Sequence, residues 1–310
     1  MTSKTFVAAN WASNYFRAFL VNEDAAVIDQ LSHDRGIIGL TRADMEDVIV
    51  HANKTLKPTA GFYLAGMVGS DMGWEKVPYC ECPSTIDKLA SNSLSASIGN
   101  VDVSILPGLC VTNSSHGPDV MRGEEVELFG ALNLLDGLNE GTKFIVLAGR
   151  HSKWVKLENG KIVDFLTSMS GELFDSLRDK GLLSALMKNQ PQLDDAFWGG
   201  LLSTKKRPVG LGRELFGVRA KVMTGALDKE KTSSYAHGLF LGAEIIDAVQ
   251  QFPELNNQTF IPVIGKQEYT EAYLHAMSGF SLKGRAVDVV AATVNGFSLY
   301  HSTFVSLPAP

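Results

Sequence analysis

Three short apolar runs open the chain. Lys4–Ala9, Phe16–Val21 and Ala25–Leu31 have strand length and are separated by polar turns. Thr41 and Asp44 have the spacing of a capping box, and Met45, Val48, Ile49 and Ala52 share one helical face, so a helix is expected from Thr41. Gly61–Val68 reads as a strand and Ser84 as the start of a weaker helix. In Val101–Leu106 the alternation puts Val101, Val103 and Ile105 on one face of another strand. The second half repeats this order. Lys143–Leu147 reads as a buried strand, and Lys153–Leu157 with Lys161–Leu166 as a hairpin around Asn159-Gly160. Helices over Gly171–Lys188 and Ser233–Gln251, a strand over Thr259–Ile264 and a helix from Glu268 follow. Gln190–Thr224 reads as irregular, an insertion or an extended helix-loop stretch.

Three strands followed by alternating helices and strands thus occur twice, as a repeat of pattern without obvious sequence identity. Alternation of this kind builds sheets covered by helices, an α/β class. Pro107-Gly108 and the polar run Thr112–Pro118 are the best boundary candidates. They divide the chain into an N-terminal lobe, 1–110, and a C-terminal lobe, 111–310. A hinge there would let two lobes close on a substrate.

Composition narrows the partners. The 310 residues are 45% hydrophobic and 20% charged, as in an ordinary soluble enzyme. A net charge of −6 without a basic tract argues against nucleic acid and against a membrane surface. No run reaches the roughly 18 apolar residues of a membrane span. Met1–Asn10 carries one Lys and no long apolar run, so no signal peptide is expected and the expected location is cytoplasmic. Cys80, Cys82 and Cys110 form neither a disulfide framework nor a metal quartet, and reduced thiols are expected.

Four segments carry chemistry that a plain strand or helix does not need. The polar turn Asn10-Trp11-Ala12-Ser13-Asn14 can present backbone N–H groups to phosphate. Gly66-Met67-Val68-Gly69-Ser70, with Gly73, Trp74 and Tyr79, lies just past a strand end, where glycines admit a ligand and aromatics can wall it. Met121-Arg122-Gly123-Glu124-Glu125 opens a helix with an arginine and paired carboxylates. The helix dipole alone favours such carboxylates, while the functional reading gives one Glu a general-base role and Arg122 an anionic group to hold. Gly149-Arg150-His151-Ser152-Lys153 occupies the same place in the second repeat as the first turn does in the first. Gly242-Ala243-Glu244 and Gly265 could frame a nucleoside.

Together these segments resemble the 2-keto-3-deoxygalactonokinase family. The likeness runs through Gly66–Ser70, Gly73-Trp74, Pro78-Tyr79, Pro107-Gly108-Leu109 and Met121–Glu125. It continues in His151 with Lys153-Trp154-Val155, Ser170-Gly171-Glu172-Leu173, Leu215-Phe216 with Val218-Arg219, and Gly242–Glu244. Order and spacing fit from about residue 5 to residue 285. The resemblance implies a duplicated ribonuclease H-like fold of the actin-like ATPase and sugar-kinase type, with two lobes and a cleft between them. It also implies transfer of the γ-phosphoryl group of ATP, with Mg²⁺, to the C6 hydroxyl of 2-keto-3-deoxygalactonate in galactonate breakdown. On this reading Glu124 is the catalytic base, with Glu125 the second choice, and Gly66, Met67, Ser70, Trp74, Tyr79 and Arg122 line the sugar-acid side. Asn10, Ser13, Asn14, Gly149, Arg150, His151, Lys153, Glu244 and Gly265 fall on the nucleotide side. The expected partners are the sugar acid and ATP, with neither nucleic acid nor membrane; if the chain self-associates, a homodimer is expected.

The chain departs from the family on the nucleotide side. The family's first phosphate loop reads Asp-Trp-Gly-Ser/Thr, where this chain has Asn10-Trp11-Ala12-Ser13. The family Asp helps to hold Mg²⁺ through water, so Asn10 keeps the shape and loses the charge. Arg150 stands where the family has Thr. An alternative reading follows, a catalytically impaired paralogue that senses the sugar acid.

Overall fold

The computed structural model describes residues 4–206 and 210–307. Contacts group the residues up to Gly141, Leu157–Asp164 and those from Val289 into one compact unit, and Thr142–Lys156 with Phe165–Asp288 into a second.

The first unit begins with β1 (Thr5–Trp11), β2 (Phe16–Asn22), β3 (Val27–His33), α1 (Arg42–Leu56) and β4 (Gly61–Gly66). It continues with β5 (Cys80–Glu81), α2 (Ile86–Ser91), β6 (Leu94–Ile98), β7 (Val101–Ile105), β8 (Leu109–Val111), β9 (Asp119–Met121) and α3 (Glu125–Leu134). Its main sheet has the order β3-β2-β1-β4-β7-β6, and β5-β8-β9 form a small second sheet. The apolar run of β1 does not alternate because both of its faces are covered. Val7, Ala9 and Trp11 pack with Met45, Ile49 and Ala52 of α1. Phe6 and Ala8 pack on the opposite side with Val294, Phe297 and Tyr300 of the last helix. Thr41 caps α1 as expected, its side chain and that of Asp44 forming a reciprocal capping box.

The second unit comprises β10 (Thr142–Ala148), β11 (Ser152–Glu158), β12 (Lys161–Ser168), α4 (Ser170–Asp179), α5 (Asp195–Lys206), α6 (Leu211–Met223) and α7 (Thr232–Gln251). After these come β13 (Ile261–Gly265), α8 (Gln267–Ser278) and β14 (Gly284–Asp288). Its sheet, β12-β11-β10-β13-β14, repeats the order β3-β2-β1-β4-β7. Asn159 and Gly160 both take positive φ, 50° and 75°, as the two-residue hairpin requires. The last helix, α9 (Val289–Ser306), belongs to the first unit. There an added Cβ on Gly296 would lie 2.0 Å from the Val126 carbonyl oxygen, so small residues let α9 and α3 pack backbone to backbone.

Several expectations change. The segment expected to be a hinge is built into the first unit instead of ending it. Leu109–Val111 pairs in the small sheet, Cys80 N donates to the Gly108 oxygen, and Thr112 N donates to Glu81 Oε1 at 2.9 Å. Residues 111–141 therefore pack with the first unit, and the division does not fall at 110. The helix from Gly171 stops at Asp179, before Gly181 at φ +92°, and does not reach Lys188. Most of Gln190–Thr224 is helical: Gly200 and Gly238 let α5 and α7 approach so closely that a Cβ on either would sit within 2.0 Å of the facing carbonyl oxygen. Residues 207–209 lie outside the described residues. Cys80, Cys82 and Cys110 are free thiols. Among the described residues no helix is long and apolar enough to cross a membrane.

Candidate active site

In the first unit three chain segments converge at the carboxyl ends of β1 and β4. Asn10 is 8% exposed and sits opposite Ala65 in the parallel ladder. Its Nδ2 donates to the Gly123 carbonyl at 3.4 Å. Gly66 and Gly123 have φ of +99° and +106°, and an added Cβ would lie 2.9 Å and 3.2 Å from Asn10 Oδ1. Gly66 thus serves the packing of its own backbone on Asn10 and Trp11, a different use from the ligand approach expected of it. The expected first turn also shifts. Asn10 and Trp11 are still strand, Trp11 is fully buried, and the turn is closed by Ala12 N donating to Tyr15 O at 2.9 Å. Ser13 and Asn14 form that turn, and the backbone of Gly36 is laid against it. The side-chain amide of Asn10 has a use that the family carboxylate could not fulfil, because a carboxylate has no proton to donate to the Gly123 carbonyl.

The segment 122–125 sets two carboxyl groups in unlike surroundings. Glu124 occupies the N-cap position of α3, and its Oε2 accepts from Arg122 N at 3.0 Å. Glu125 is fully buried; its Oε2 accepts from Gly123 N at 2.6 Å and its Oε1 has no partner among the described residues. Burial, and then the charge of Glu124, push the Glu125 carboxyl up to about 8. The direction of that shift favours the neutral form of Glu125.

The guanidinium of Arg122 lies 4.2 Å from the centre of the Tyr79 ring, and its Nη2 donates to Val77 O at 2.8 Å. Its Nε and Nη1 are buried without a partner among the described residues. Gly69 makes room for it, since a Cβ there would come within 3.0 Å of Nη1. Unpartnered buried guanidinium nitrogens are uncommon. Tyr79, 41% exposed, walls this place. Trp74 does not: its ring is buried in the core with Arg42 stacked 3.8 Å from its centre. Met67 likewise packs against the core, and Ser70 Oγ donates to Met67 O at 2.7 Å in a local turn.

In the second unit Gly149 and Arg150 form the turn between β10 and β11. Nothing lies within 4 Å of where a Cβ on Gly149 would be. Gly171, at the start of α4, lets that helix sit under the turn, because a Cβ there would be 2.7 Å from Arg150 Cα. Arg150 Nε pairs with Asp175 at 3.4 Å, both half exposed, and His151 pairs with Glu172. Asp175 was not singled out from the sequence, and Glu172 appeared only within the string Ser170–Leu173; their spacing of three on a helix beside Arg150 and His151 is the signal that would have paired them. Lys153 is 3% exposed and its Nζ donates to His151 O at 3.2 Å, so it is an internal support of the turn. Gly265 closes β13 against Ala148, whose carbonyl oxygen would be 2.5 Å from an added Cβ. Glu244 is 3% exposed. Its Oε1 accepts from Ser152 Oγ at 2.7 Å, Trp154 Nε1 at 2.9 Å and Tyr273 OH at 2.7 Å, which makes it a buried hub beneath the turn.

Among the described residues no group of three or more His, Cys, Asp or Glu is arranged to hold a metal ion. Mg²⁺ is commonly carried by substrate phosphates and water with one or two protein ligands.

The sequence profile of the 2-keto-3-deoxy-galactonokinases matches residues 10–299. The 2-dehydro-3-deoxygalactonokinase of Escherichia coli (strain K12) is 33% identical over 79% of this chain and 80% of its own. A probable 2-dehydro-3-deoxygalactonokinase of Rhizobium meliloti (strain 1021) is 28% identical over 96% of both chains. A crystal structure of a provisionally assigned 2-dehydro-3-deoxygalactonokinase from Sinorhizobium meliloti superposes with a TM-score of 0.88 at 27% identity. It covers 97% of this chain and all of that one. Component A of (R)-2-hydroxyglutaryl-CoA dehydratase from Acidaminococcus fermentans, 9% identical, shares the fold with a TM-score of 0.53 over 98% of this chain and all of its own. The fold is the duplicated actin-like ATPase fold, and the chain belongs to the 2-keto-3-deoxy-galactonokinase family.

Proposed function

We propose that this protein transfers the γ-phosphoryl group of ATP to the C6 hydroxyl of 2-keto-3-deoxygalactonate. The observation that carries the reading beyond family membership is Arg122, whose Nε and Nη1 are buried without a partner among the described residues, two residues from Glu124. A sugar acid offers both things this place requires, a carboxylate for Arg122 and a hydroxyl for Glu124. Glu124 accepts the hydroxyl proton as the oxygen attacks phosphorus, and the bond from phosphorus to the bridging oxygen breaks to release ADP. Tyr79 holds the Arg122 plane by stacking and walls the acid. Glu125, kept neutral, adds no second negative charge beside the reacting hydroxyl.

In the second unit the turn Gly149–Ser152 supports the reading as the phosphate-binding element, with Arg150 supplying charge where the family has Thr. Bound Mg²⁺ would neutralise charge on the transferred phosphoryl group, with Asn10 reaching it through water. The alternative of a non-catalytic sugar-acid sensor draws no support from the relatives, which are named as kinases. A coupled ADP assay tests the reading. ADP release that depends on 2-keto-3-deoxygalactonate and saturates with it is expected. Saturating sugar acid with no turnover across a wide Mg²⁺ range would overturn it.

A further inference from the structure

The string Ser170-Gly171-Glu172-Leu173 opens α4 and has no part in the reaction described above. In the second unit this helix start is fastened to the turn Gly149–Ser152 by backbone and by side chain. Gly171 lies against the turn, where an added Cβ would be 2.7 Å from Arg150 Cα and 2.9 Å from Gly149 O. Glu172 N donates to Arg150 O at 3.1 Å. The Glu172 carboxylate then meets the ring of His151, Oε2 on Nε2. An acid in the first turn of a helix is favoured by the dipole alone. That preference does not account for the seat of this carboxylate on His151, which the backbone contacts of Gly171 and Glu172 put within reach.

The two basic residues of the turn are held for different uses. Arg150 Nε is paired with Asp175 at 3.4 Å, and a phosphate competes with that carboxylate for the guanidinium. His151 faces no such competition. An imidazole has two ring nitrogens, and the bond made by one decides what the other presents. With Nε2 on Glu172, Nδ1 is the nitrogen left for a ligand. As an imidazolium, His151 donates one N–H to Glu172 and has a second for a phosphate oxygen. The His151 side chain is 49% exposed, so the ring is open to a ligand. Its backbone is held as well, since Lys153 Nζ donates to His151 O at 3.2 Å.

We propose, resting on the kinase reading above, that Glu172 is a positioning residue: it fixes the ring of His151 so that Nδ1–H meets the phosphates of the nucleotide. Isothermal titration of the full chain with MgATP, and separately with 2-keto-3-deoxygalactonate, tests this in the parent, Glu172→Ala, Glu172→Gln, His151→Ala and the Glu172→Ala/His151→Ala double variant. Glu172→Ala and His151→Ala are each expected to weaken ATP about fivefold, the scale of a half-exposed pair. The double variant is expected to match His151→Ala, because Glu172 acts only through the ring. Glu172→Gln keeps an acceptor for Nε2–H and is expected to restore most of the parent's affinity. Sugar-acid affinity and melting temperature are expected to stay at the parent's values throughout. Either alanine variant binding ATP like the parent, losses that add in the double variant, Glu172→Gln as weak as Glu172→Ala, or a parallel loss of sugar-acid affinity would overturn the proposal and leave the kinase reading in place. A parent that binds no ATP would overturn both.

Discussion

The two units handle charge in opposite ways. In the first, Glu125 is buried with Gly123 N on its Oε2, and Arg122 is half-buried with its Nη2 on Val77 O, so both are held by backbone partners. In the second, Arg150 and His151 lie at a turn and pair with Asp175 and Glu172 on α4 at half-exposed positions. Buried groups are pre-organised, and every change to them disturbs an interior that cannot rehydrate. Exposed pairs are screened and exchange partners at little cost. A group that accepts a proton has to be held in one place. A group that neutralises phosphate charge needs only to be within reach and easily released from its resting partner.

Glu124→Gln is expected to have the largest effect, lowering kcat about 10²- to 10⁴-fold with the sugar acid still bound, as a lost general base does. A variant with full kcat would move the base elsewhere. Arg122→Lys keeps the charge but loses the planar fork, its stack on Tyr79 and its inner donors. The KM for the sugar acid should rise about 10- to 100-fold with a smaller change in kcat. An unchanged KM would show that the acid's carboxylate is held by other groups.

Glu125 tests the buried side through stability. Its folded pKa, about 8, lies above the ordinary 4.5, so the folded state binds the extra proton between those values. The parent's stability should be greatest, for this group, below about pH 4.5 and fall as pH rises toward 8. The slope is up to about 1.4 kcal/mol per pH unit. Glu125→Gln, neutral throughout, should flatten that slope in urea titrations at several pH values. A parallel slope would mean that Glu125 is charged in its niche.

The smallest effects belong to the exposed side. Arg150→Thr should raise the KM for ATP only a few-fold, and Asp175→Asn, which frees Arg150, should lower it by a similar factor, both effects shrinking with added salt. An Arg150→Thr loss as large as that of Glu124→Gln would erase the contrast between the two units.

Much of the fold was legible because it is written in local pattern. The capping box at Thr41, the Asn159-Gly160 turn and the twice-occurring order of strands and helices each depend on neighbours in sequence. What escaped is non-local. The strands Leu94–Ile98 and Gly284–Asp288 are short and partly exposed, and they are strands only because a neighbour's ladder recruits them. The α5 and α6 helices carry glycines that read as breakers, yet those of α5 are where another helix lies against the backbone.

The candidate site divides in the same way. The sequence by itself determined which chemistry is present: Arg122 beside two carboxyls, a glycine turn with a basic residue in the second repeat, and the family to which these belong. Only the tertiary structure set the two carboxyls in unlike surroundings, Glu125 fully buried and Glu124 half-buried at the N-cap of α3. It moved Trp74 into the core and Met67 against it, turned Glu244 into a hub with three donors on one oxygen, and gave the amide of Asn10 a carbonyl to hold. Residue type fixes what a group can do. Burial and partners, set by segments distant in sequence, fix which of those things it does.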